Sequence, residues 1–257
     1  MTEAVFVAQN GGFVATELAR GPWDPDAQHG GAPAALLMRA FESCEQAAEL
    51  LIARVTYELL RPVPLGELHV DVELVRPGRR VQLLEGTISA PDGTEVVRAR
   101  ALRVARADVE AGAVQPPPPG PQHGKLSEFR RGDRPVFPTD AMEIVFVAGR
   151  FYEPGASTAW FRLRVPVVAG ERPSGLQRLA AAADFPNGIA AEVRWEEYVF
   201  INPDLTLYVE REPVGEWICI DATMRVQRGG VGFSEAVLYD SLGRVGRSLQ
   251  SLFVARR

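Results

Sequence analysis

The sequence repeats itself weakly at a spacing of more than half its length, and this repeat constrains the fold more than any other feature. Residues 64–67 (PLGE) resemble residues 213–216 (PVGE) at an offset of 149. Residues 102–106 (LRVAR) resemble residues 252–256 (LFVAR) at an offset of 150. A one-residue insertion reconciles the two offsets. We therefore interpret the 257-residue chain as a tandem duplication of one module.

A proline-rich stretch separates the two copies. Residues 111–124 (AGAVQPPPPGPQHG) contain four consecutive prolines, and such a run favours an extended spacer over a helix or a central strand. The sequence therefore predicts an N-terminal module at 1–108, a Pro-rich linker at 109–134 and a C-terminal module at 135–257. Each module is long enough to bury a core of its own.

The first copy has the pattern of one helix followed by several β-strands. Residues 30–41 (GGAPAALLMRAF) would be apolar on nearly every side of a helix, so this helix has to be buried all round. The runs that follow are rich in Val, Leu, Ile and Thr and are separated by Pro and Gly turns, as is typical of strands. These predicted strands are residues 54–60, 67–75, 79–89 and 95–106.

The second copy repeats this pattern. Ser174 can cap a helix whose apolar residues fall at positions i, i+3, i+4 and i+7, and Pro186 limits its C-terminal end. The apolar residues are Leu176, Leu179, Ala180 and Ala183. Strands are predicted after this helix at residues 195–200, 205–210, 217–227, 232–239 and 245–255.

One buried helix wrapped by a curled antiparallel sheet, present twice in one chain, is a tandem (double) hotdog of the α+β class. We expect residues 54–106 and 205–256 to form two copies of one sheet. Each sheet should curl around its own helix, and the two should not merge into a single continuous sheet.

Four short stretches carry a family resemblance. They are residues 29–31 (HGG), 183–188 (ADFPNG), 200–205 (FINPDL) and 248–252 (SLQSL). These stretches resemble the double-hotdog acyl-CoA thioesterases related to thioesterase II, and the resemblance runs from about residue 21 to the C-terminus. It implies an enzyme that hydrolyses acyl-CoA to a free acid and CoA without a metal or an organic cofactor.

Asp184 is the most informative single residue. It lies eight positions after Leu176, where the helical series predicts an apolar side chain, so its carboxylate has to be paired, solvated by a cleft or protonated. Alternatively, Pro186 has already ended the helix, and Asp184 accepts hydrogen bonds from nearby backbone donors. The resemblance implies that Asp184 is the base that activates water, with a nucleophilic role as the alternative.

Gln250 shares a predicted strand face with Leu252 and Val254. Its amide therefore needs hydrogen-bond partners, unless it lies at the sheet edge or in solvent. The resemblance implies that a Gln at this point holds the attacking water beside Asp184.

The family's third catalytic residue is a Thr, and the matching position in this chain is Asn202. Thr206 lies close enough in sequence to leave the alignment open, and we include it as a substrate-binding candidate. Residues 202–204 (NPD) also form an ordinary turn signal, so Asn202 has a purely structural alternative.

His29, Gly30 and Gly31 precede the first helix, where backbone N–H groups point out from a positive helix end. The Gly31 N–H is a catalytic candidate that would polarise the thioester carbonyl, with His29 and Gly30 as substrate-binding candidates. Alternatively, the glycines serve only a tight turn and close packing. His29 would then either contact the pantetheine or cap the helix.

Charge and composition exclude several classes of function. Lys and Arg total 28 against 33 Asp and Glu, a net charge of −5 without a basic stripe, so nucleic acid is not an expected partner. No run approaches ~18 apolar residues, which argues against membrane insertion. The two cysteines belong to no metal-binding motif. We expect a cytoplasmic homodimer that binds acyl-CoA as a small-molecule substrate.

Two other functions stay open. Asp24 and His29 have the spacing of a hotdog enoyl-CoA hydratase motif, although the Asn-Pro between the two motif residues is missing. A non-catalytic acyl-CoA-binding hotdog protein is the second alternative, because Asn202 stands where the thioesterases have Thr.

Overall fold

The computed structural model describes residues 3–44, 49–110, 113–130 and 132–257. In the N-terminal half, two short strands precede a long helix, and four longer strands follow it. These elements are β1 (Phe6–Gln9), β2 (Gly12–Ala15), α1 (Gly31–Ser43), β3 (Leu50–Leu59), β4 (Gly66–Arg76), β5 (Val81–Ser89) and β6 (Glu95–Ala105).

The C-terminal half repeats this order with extra short elements. They are β7 (Lys125–Leu126), β8 (Met142–Ala148), β9 (Ser157–Leu163), α2 (Gly175–Ala182), α3 (Pro186–Ile189), β10 (Tyr198–Ile201), β11 (Asp204–Val209), β12 (Trp217–Val226), β13 (Val231–Asp240) and β14 (Gly243–Arg256). Pro186 starts α3 after α2 has ended at Ala182, so Asp184 lies in the junction between two helices. None of the helices in the four described ranges is long and apolar enough to span a membrane.

The strands of the described residues join into one antiparallel sheet of fourteen strands. Its order is β1-β2-β4-β5-β6-β3-β11-β14-β13-β12-β9-β8-β7, and β10 pairs with β14 beside this path. The expectation of two unconnected sheets is wrong, because β3 and β11 pair edge to edge. Outward from this joint, the two halves follow the same strand order, as expected for a tandem hotdog fold.

The joint between β3 and β11 is also the centre of the internal symmetry. Thr56 pairs with Thr206, which lies 150 residues later. Thr56 also pairs with Arg100, and Thr206 pairs with Leu249, so β6 and β14 correspond at an offset of 149. The offset of 150 predicted for these last strands is therefore wrong by one residue. The physical reason is that successive residues of a strand point to opposite faces. An offset of 150 would match residues on one face of β6 to residues on the other face of β14.

The two helices lie side by side under the curled sheet. Every residue from Gly31 to Met38 is buried, as the apolar sequence of α1 predicts. A Cβ at Gly31 would lie only 2.4 Å from the backbone oxygen of Ala181, so the start of α1 touches the end of α2. This contact brings the Asp184 junction to the N-terminal end of α1.

Candidate active site

Asp184 is buried, with 6% of its surface exposed. Its Oδ1 accepts hydrogen bonds from Asn202 Nδ2 at 2.8 Å and from Gln250 Nε2 at 3.0 Å. Asn202 lies between β10 and β11, and Gln250 points inward from β14. The fold thus brings together three residues that sequence analysis identified in three separate segments.

The N-terminal end of α1 faces the same carboxylate. The backbone N–H groups of Gly31 and Gly30 lie close enough to the Asp184 carboxylate to lower its pKa. A Cβ at Gly30 would lie 2.7 Å from Asp184 Oδ2, so this approach requires glycine. As the structural alternative for Asp184 expected, α2 ends before this residue. The backbone N–H groups beside its carboxylate, however, belong to the N-terminal module. The carboxylate therefore lies at the positive end of a helix dipole.

His29 contacts the second carboxylate oxygen. Its Nδ1 lies 3.2 Å from Asp184 Oδ2 and accepts a hydrogen bond from the Gly31 N–H at 3.1 Å. The ring stacks between Phe137 and Phe185, at centroid distances of 5.2 and 4.4 Å. The Gly31 N–H is thus already engaged by His29. The oxyanion role predicted for Gly31 does not agree with this geometry.

Burial changes the pKa values of both titratable groups in opposite directions. It raises the pKa of Asp184 from 3.8 to about 7, and the hydrogen bonds from Asn202, Gly31, Gln250 and Gly30 oppose this shift. Burial lowers the pKa of His29 from 6.5 to about 3. At neutral pH the site therefore holds a carboxyl group close to its titration point beside a neutral imidazole.

Asn187, in α3, is a site residue that sequence analysis missed. Its side-chain Nδ2 donates to Asn202 Oδ1 at 3.1 Å, and its backbone N–H donates to Gln250 Oε1 at 3.4 Å. Its polar side chain follows Asp184 by three positions in the ADFPNG stretch, which was the available signal. The role of Asn187 depends on its hydrogen bonds to Gln250 on β14 and to Asn202 in the segment before β11, and the sequence does not show these contacts.

Thr206 lies outside the site. Leu205 and Leu207 are the inward-facing, buried residues of β11, so Thr206 between them faces the other side of the sheet. Its hydroxyl donates to the hydroxyl of Thr56 at 3.2 Å. Thr206 therefore lies on the sheet face away from Asp184, which does not agree with the substrate-binding role expected of it.

Asp24 and His29 do not form the pair that the hydratase alternative requires. Asp24 is exposed in a turn, where its Oδ1 accepts a hydrogen bond from the Asp26 N–H. His29 turns its Nδ1 toward Asp184 instead.

A cavity of about 30 Å³ borders the site. His29, Phe185 and Asn187 line it next to Asp184, and aromatic rings form much of the remaining wall. These rings belong to Trp23, Phe129, Phe151 and Trp195.

The wall formed by Phe129 and Phe151 also borders a larger cleft. This surface cleft has a volume of about 740 Å³ and lies between residues 123–129 and 146–153. A volume of this size is within the usual range of small-molecule sites. The aromatic wall therefore lies between a ligand-sized cleft and the cavity beside Asp184.

The other end of the helix pair holds Glu42, near the C-terminal end of α1. Its Oε2 accepts hydrogen bonds from Ser174 Oγ at 2.8 Å and from Gln177 Nε2 at 2.9 Å, at the N-terminal end of α2. Burial raises the pKa of Glu42. The residue of β6 that corresponds to Gln250 is Ala101, 149 positions earlier. This end therefore has a carboxyl group without the amide on the sheet.

Solved structures share this fold over nearly the whole chain. A candidate thioesterase from Novosphingobium aromaticivorans is 21% identical, with a TM-score of 0.77 over 98% of this chain and 99% of its own. A hot dog-fold protein of unknown function from Alicyclobacillus acidocaldarius is 17% identical, with a TM-score of 0.76 over 97% and 95%. An acyl-CoA thioesterase II from Mycobacterium marinum is 14% identical, with a TM-score of 0.67 over 97% and 94%.

Two family models match the sequence itself. The acyl-CoA thioesterase N-terminal domain matches residues 19–104, and the acyl-CoA thioesterase C-terminal domain matches residues 110–254. No curated protein matches the chain. The family resemblance identified in the sequence is confirmed by both domain matches. The chain belongs to the acyl-CoA thioesterase family and is a thioester hydrolase.

Proposed function

We propose that this protein hydrolyses acyl-CoA to a free acid and CoA, with Asp184 as the general base that activates water. The observation that carries the proposal is the buried Asp184 carboxyl group, whose pKa is raised to about 7 and which two side-chain amides hold. A general base is most effective when its pKa lies near the working pH. Asp184 meets this condition at neutral pH, and an aspartate in water does not.

In the proposed reaction, Asp184 carries the proton between the two steps. Asp184 takes a proton from water while the water oxygen bonds to the thioester carbonyl carbon, and a tetrahedral intermediate forms. The carbon–sulfur bond then breaks, and the leaving CoA thiolate takes the proton from Asp184. A thioester lacks the resonance of an amide, so an activated water is a sufficient nucleophile and no acyl-enzyme is required.

Asn202 and Gln250 would hold the carboxylate and orient the attacking water. Each donates one N–H to Asp184 Oδ1, which fixes the direction of the carboxylate lone pairs. The cavity lined by His29 and Asn187 supports this arrangement, because a volume of about 30 Å³ is enough to hold a water molecule.

His29 is the donor that we propose for the thioester carbonyl, in place of Gly31. In this proposal the neutral ring carries its proton on Nε2, and its Nδ1 accepts from the Gly31 N–H. His29 also lines the cavity, where a fixed neutral donor can stabilise the oxyanion of the tetrahedral intermediate. Gly30 and Gly31 keep a role as the helix end that binds Asp184.

The proposal is tested by incubating the purified protein with a panel of acyl-CoAs and measuring free thiol. Asp184→Asn is expected to lower kcat by roughly 10²–10⁴-fold, the usual contribution of a general base. Gln250→Ala and Asn202→Ala should lower it less, because each removes only one orienting donor. Asp71→Asn, an exposed aspartate on β4, is the matched control and should keep the parental rate. A parental rate in a folded Asp184→Asn variant would remove Asp184 from the mechanism.

The two alternative functions give different readouts in the same experiment. Hydration of a 2-enoyl-CoA removes the absorbance of the conjugated double bond and leaves the thioester intact. Loss of conjugation without thiol release, abolished by His29→Ala and unaffected by Asp184→Asn, would support the hydratase. Saturable binding of acyl-CoA without turnover across the whole panel would support the non-catalytic binding protein.

A further inference from the structure

Asn187 contacts both amides that hold Asp184. Its side-chain Nδ2 lies 3.1 Å from Asn202 Oδ1, and its backbone nitrogen lies 3.4 Å from Gln250 Oε1. It is 8% exposed and is the second residue of α3, directly after Pro186. Its backbone position is therefore fixed by the start of a helix.

The orientation of a side-chain amide is set by its neighbours, because its oxygen and its NH₂ group have nearly the same size. When Asp184 is ionised it has no hydrogen to donate and can only accept hydrogen bonds. Both amides must therefore turn their NH₂ groups toward it. If Asn202 rotated by half a turn, its oxygen would face the carboxylate oxygen of Asp184 and the carbonyl oxygen of Asp204, to which Asn202 Nδ2 also donates at 3.2 Å. Its NH₂ group would then face the NH₂ group of Asn187.

We propose that Asn187 is a positioning residue for thioester hydrolysis, whose side chain holds Asn202 and whose backbone N–H holds Gln250 with both NH₂ groups toward Asp184. The inference rests on the proposed function, because Asn187 acts only through the Asp184 base. A side-chain substitution at position 187 leaves the backbone donor in place. It therefore affects the orientation of Asn202 and spares that of Gln250.

The test is a double-mutant cycle on thiol release. Asn187→Ala and Asn202→Ala are each expected to lower kcat by about 10-fold, and the double variant should be no slower than Asn202→Ala alone, within about 2-fold. In Asn187→Ala, the acid limb of the pH–rate profile should also move to higher pH. The reason is that the Asn202 NH₂ group, whose hydrogen bond favours the charged form of Asp184, is no longer held in place by Asn187.

Two further variants separate positioning from loss of packing. Gln177→Ala is the matched control, because Gln177 is also an amide with 8% exposure but donates to Glu42 at the other end of the helix pair. It should keep the parental rate and pH profile. Asn187→Asp keeps the side-chain volume and removes the donor, so it should lose at least as much activity as Asn187→Ala. This variant serves as the test if Asn187→Ala does not fold.

Independent losses that multiply in the double variant would overturn the inference. An effect of Asn187→Ala on KM alone, or an unshifted pH profile, would overturn it as well. If Asp184→Asn keeps the parental rate, it is the proposed function that fails. If Asp184→Asn loses its activity and Asn187→Ala does not, the inference about Asn187 alone is wrong.

Discussion

At Asp184 the folded protein buries a carboxyl group that an unfolded chain leaves in water. Its pKa rises from 3.8 to about 7, mainly because burial disfavours the charged form. Between these two values the folded protein binds more protons at this residue than the unfolded chain does. The contribution of Asp184 to the free energy of unfolding therefore falls as the pH rises through this window, and the fall is complete above about pH 7.

Asp184→Asn should consequently remove this pH dependence of stability while it removes activity. The variant has no titrating group at this position, so its free energy of unfolding relative to the parent should rise by roughly 2–3 kcal/mol between pH ~5 and pH ~8. Denaturant unfolding of both proteins at the two pH values measures this difference. A stability difference that does not change with pH would show that the pKa of Asp184 is not raised by folding.

The residues of the site differ in how far the sequence could predict them. Asp184 and Gln250 were accessible because each is polar where the local pattern predicts an apolar side chain. Thr206 was placed wrongly because its direction depends on the register of β11 against β3. Asn187 could not be assigned a role, because its hydrogen bonds reach Asn202 and Gln250, which are distant in sequence.

At the scale of elements, the close contact between α1 and α2 brings a helix N-terminus to Asp184. The contact is possible because Gly31 has no side chain to meet the Ala181 carbonyl oxygen. The sequence predicted both helices from their apolar residues. It did not show that α2 ends at Ala182 and that Pro186 starts a new helix, because proline is compatible with both a helix end and the first turn of a helix.

Gly31→Ala should separate the two helices and destabilise the fold. The new Cβ would lie 2.4 Å from backbone, which cannot rotate away, so we expect a loss of about 1–3 kcal/mol. Gly188→Ala is the matched control, because a Cβ there meets its nearest neighbour, Trp195, at an ordinary distance of 3.7 Å. Denaturant unfolding of both variants checks the prediction. Equal stability of the two variants would contradict the account of the helix contact.

At the scale of the whole molecule, a duplicated module has become asymmetric. The repeat predicted the duplication, and the strand order on the two sides of the β3–β11 joint agrees with it. The joint itself was not predictable, because pairing of two sheet edges depends on which strands the curled modules leave at their edges. Within the described chain, the carboxyl group of Asp184 has a partner amide on β14, Gln250, whereas the corresponding position of β6, in the half that contains Glu42, is Ala101.

This asymmetry predicts that only the Asp184 end of the helix pair is active. Glu42→Gln keeps an oxygen that can accept from Ser174 and Gln177, so we expect folding and thiol release within about 2-fold of the parent. Steady-state kinetics with the best acyl-CoA of the panel tests this. A loss as large as that of Asp184→Asn would mean that both ends of the helix pair contribute to catalysis.

The central claim is that a buried carboxyl group with a pKa near neutrality is the base of the reaction, and the pH dependence of kcat/KM tests it most directly. Hydrolysis by the parent protein should be slow at acid pH, rise through an apparent pKa of about 7 and level off above it, because only ionised Asp184 can accept the proton of water. The residual activity of Asp184→Asn should lack this limb between pH ~5 and pH ~9. A flat profile in the parent, or the same limb in Asp184→Asn, would contradict the account.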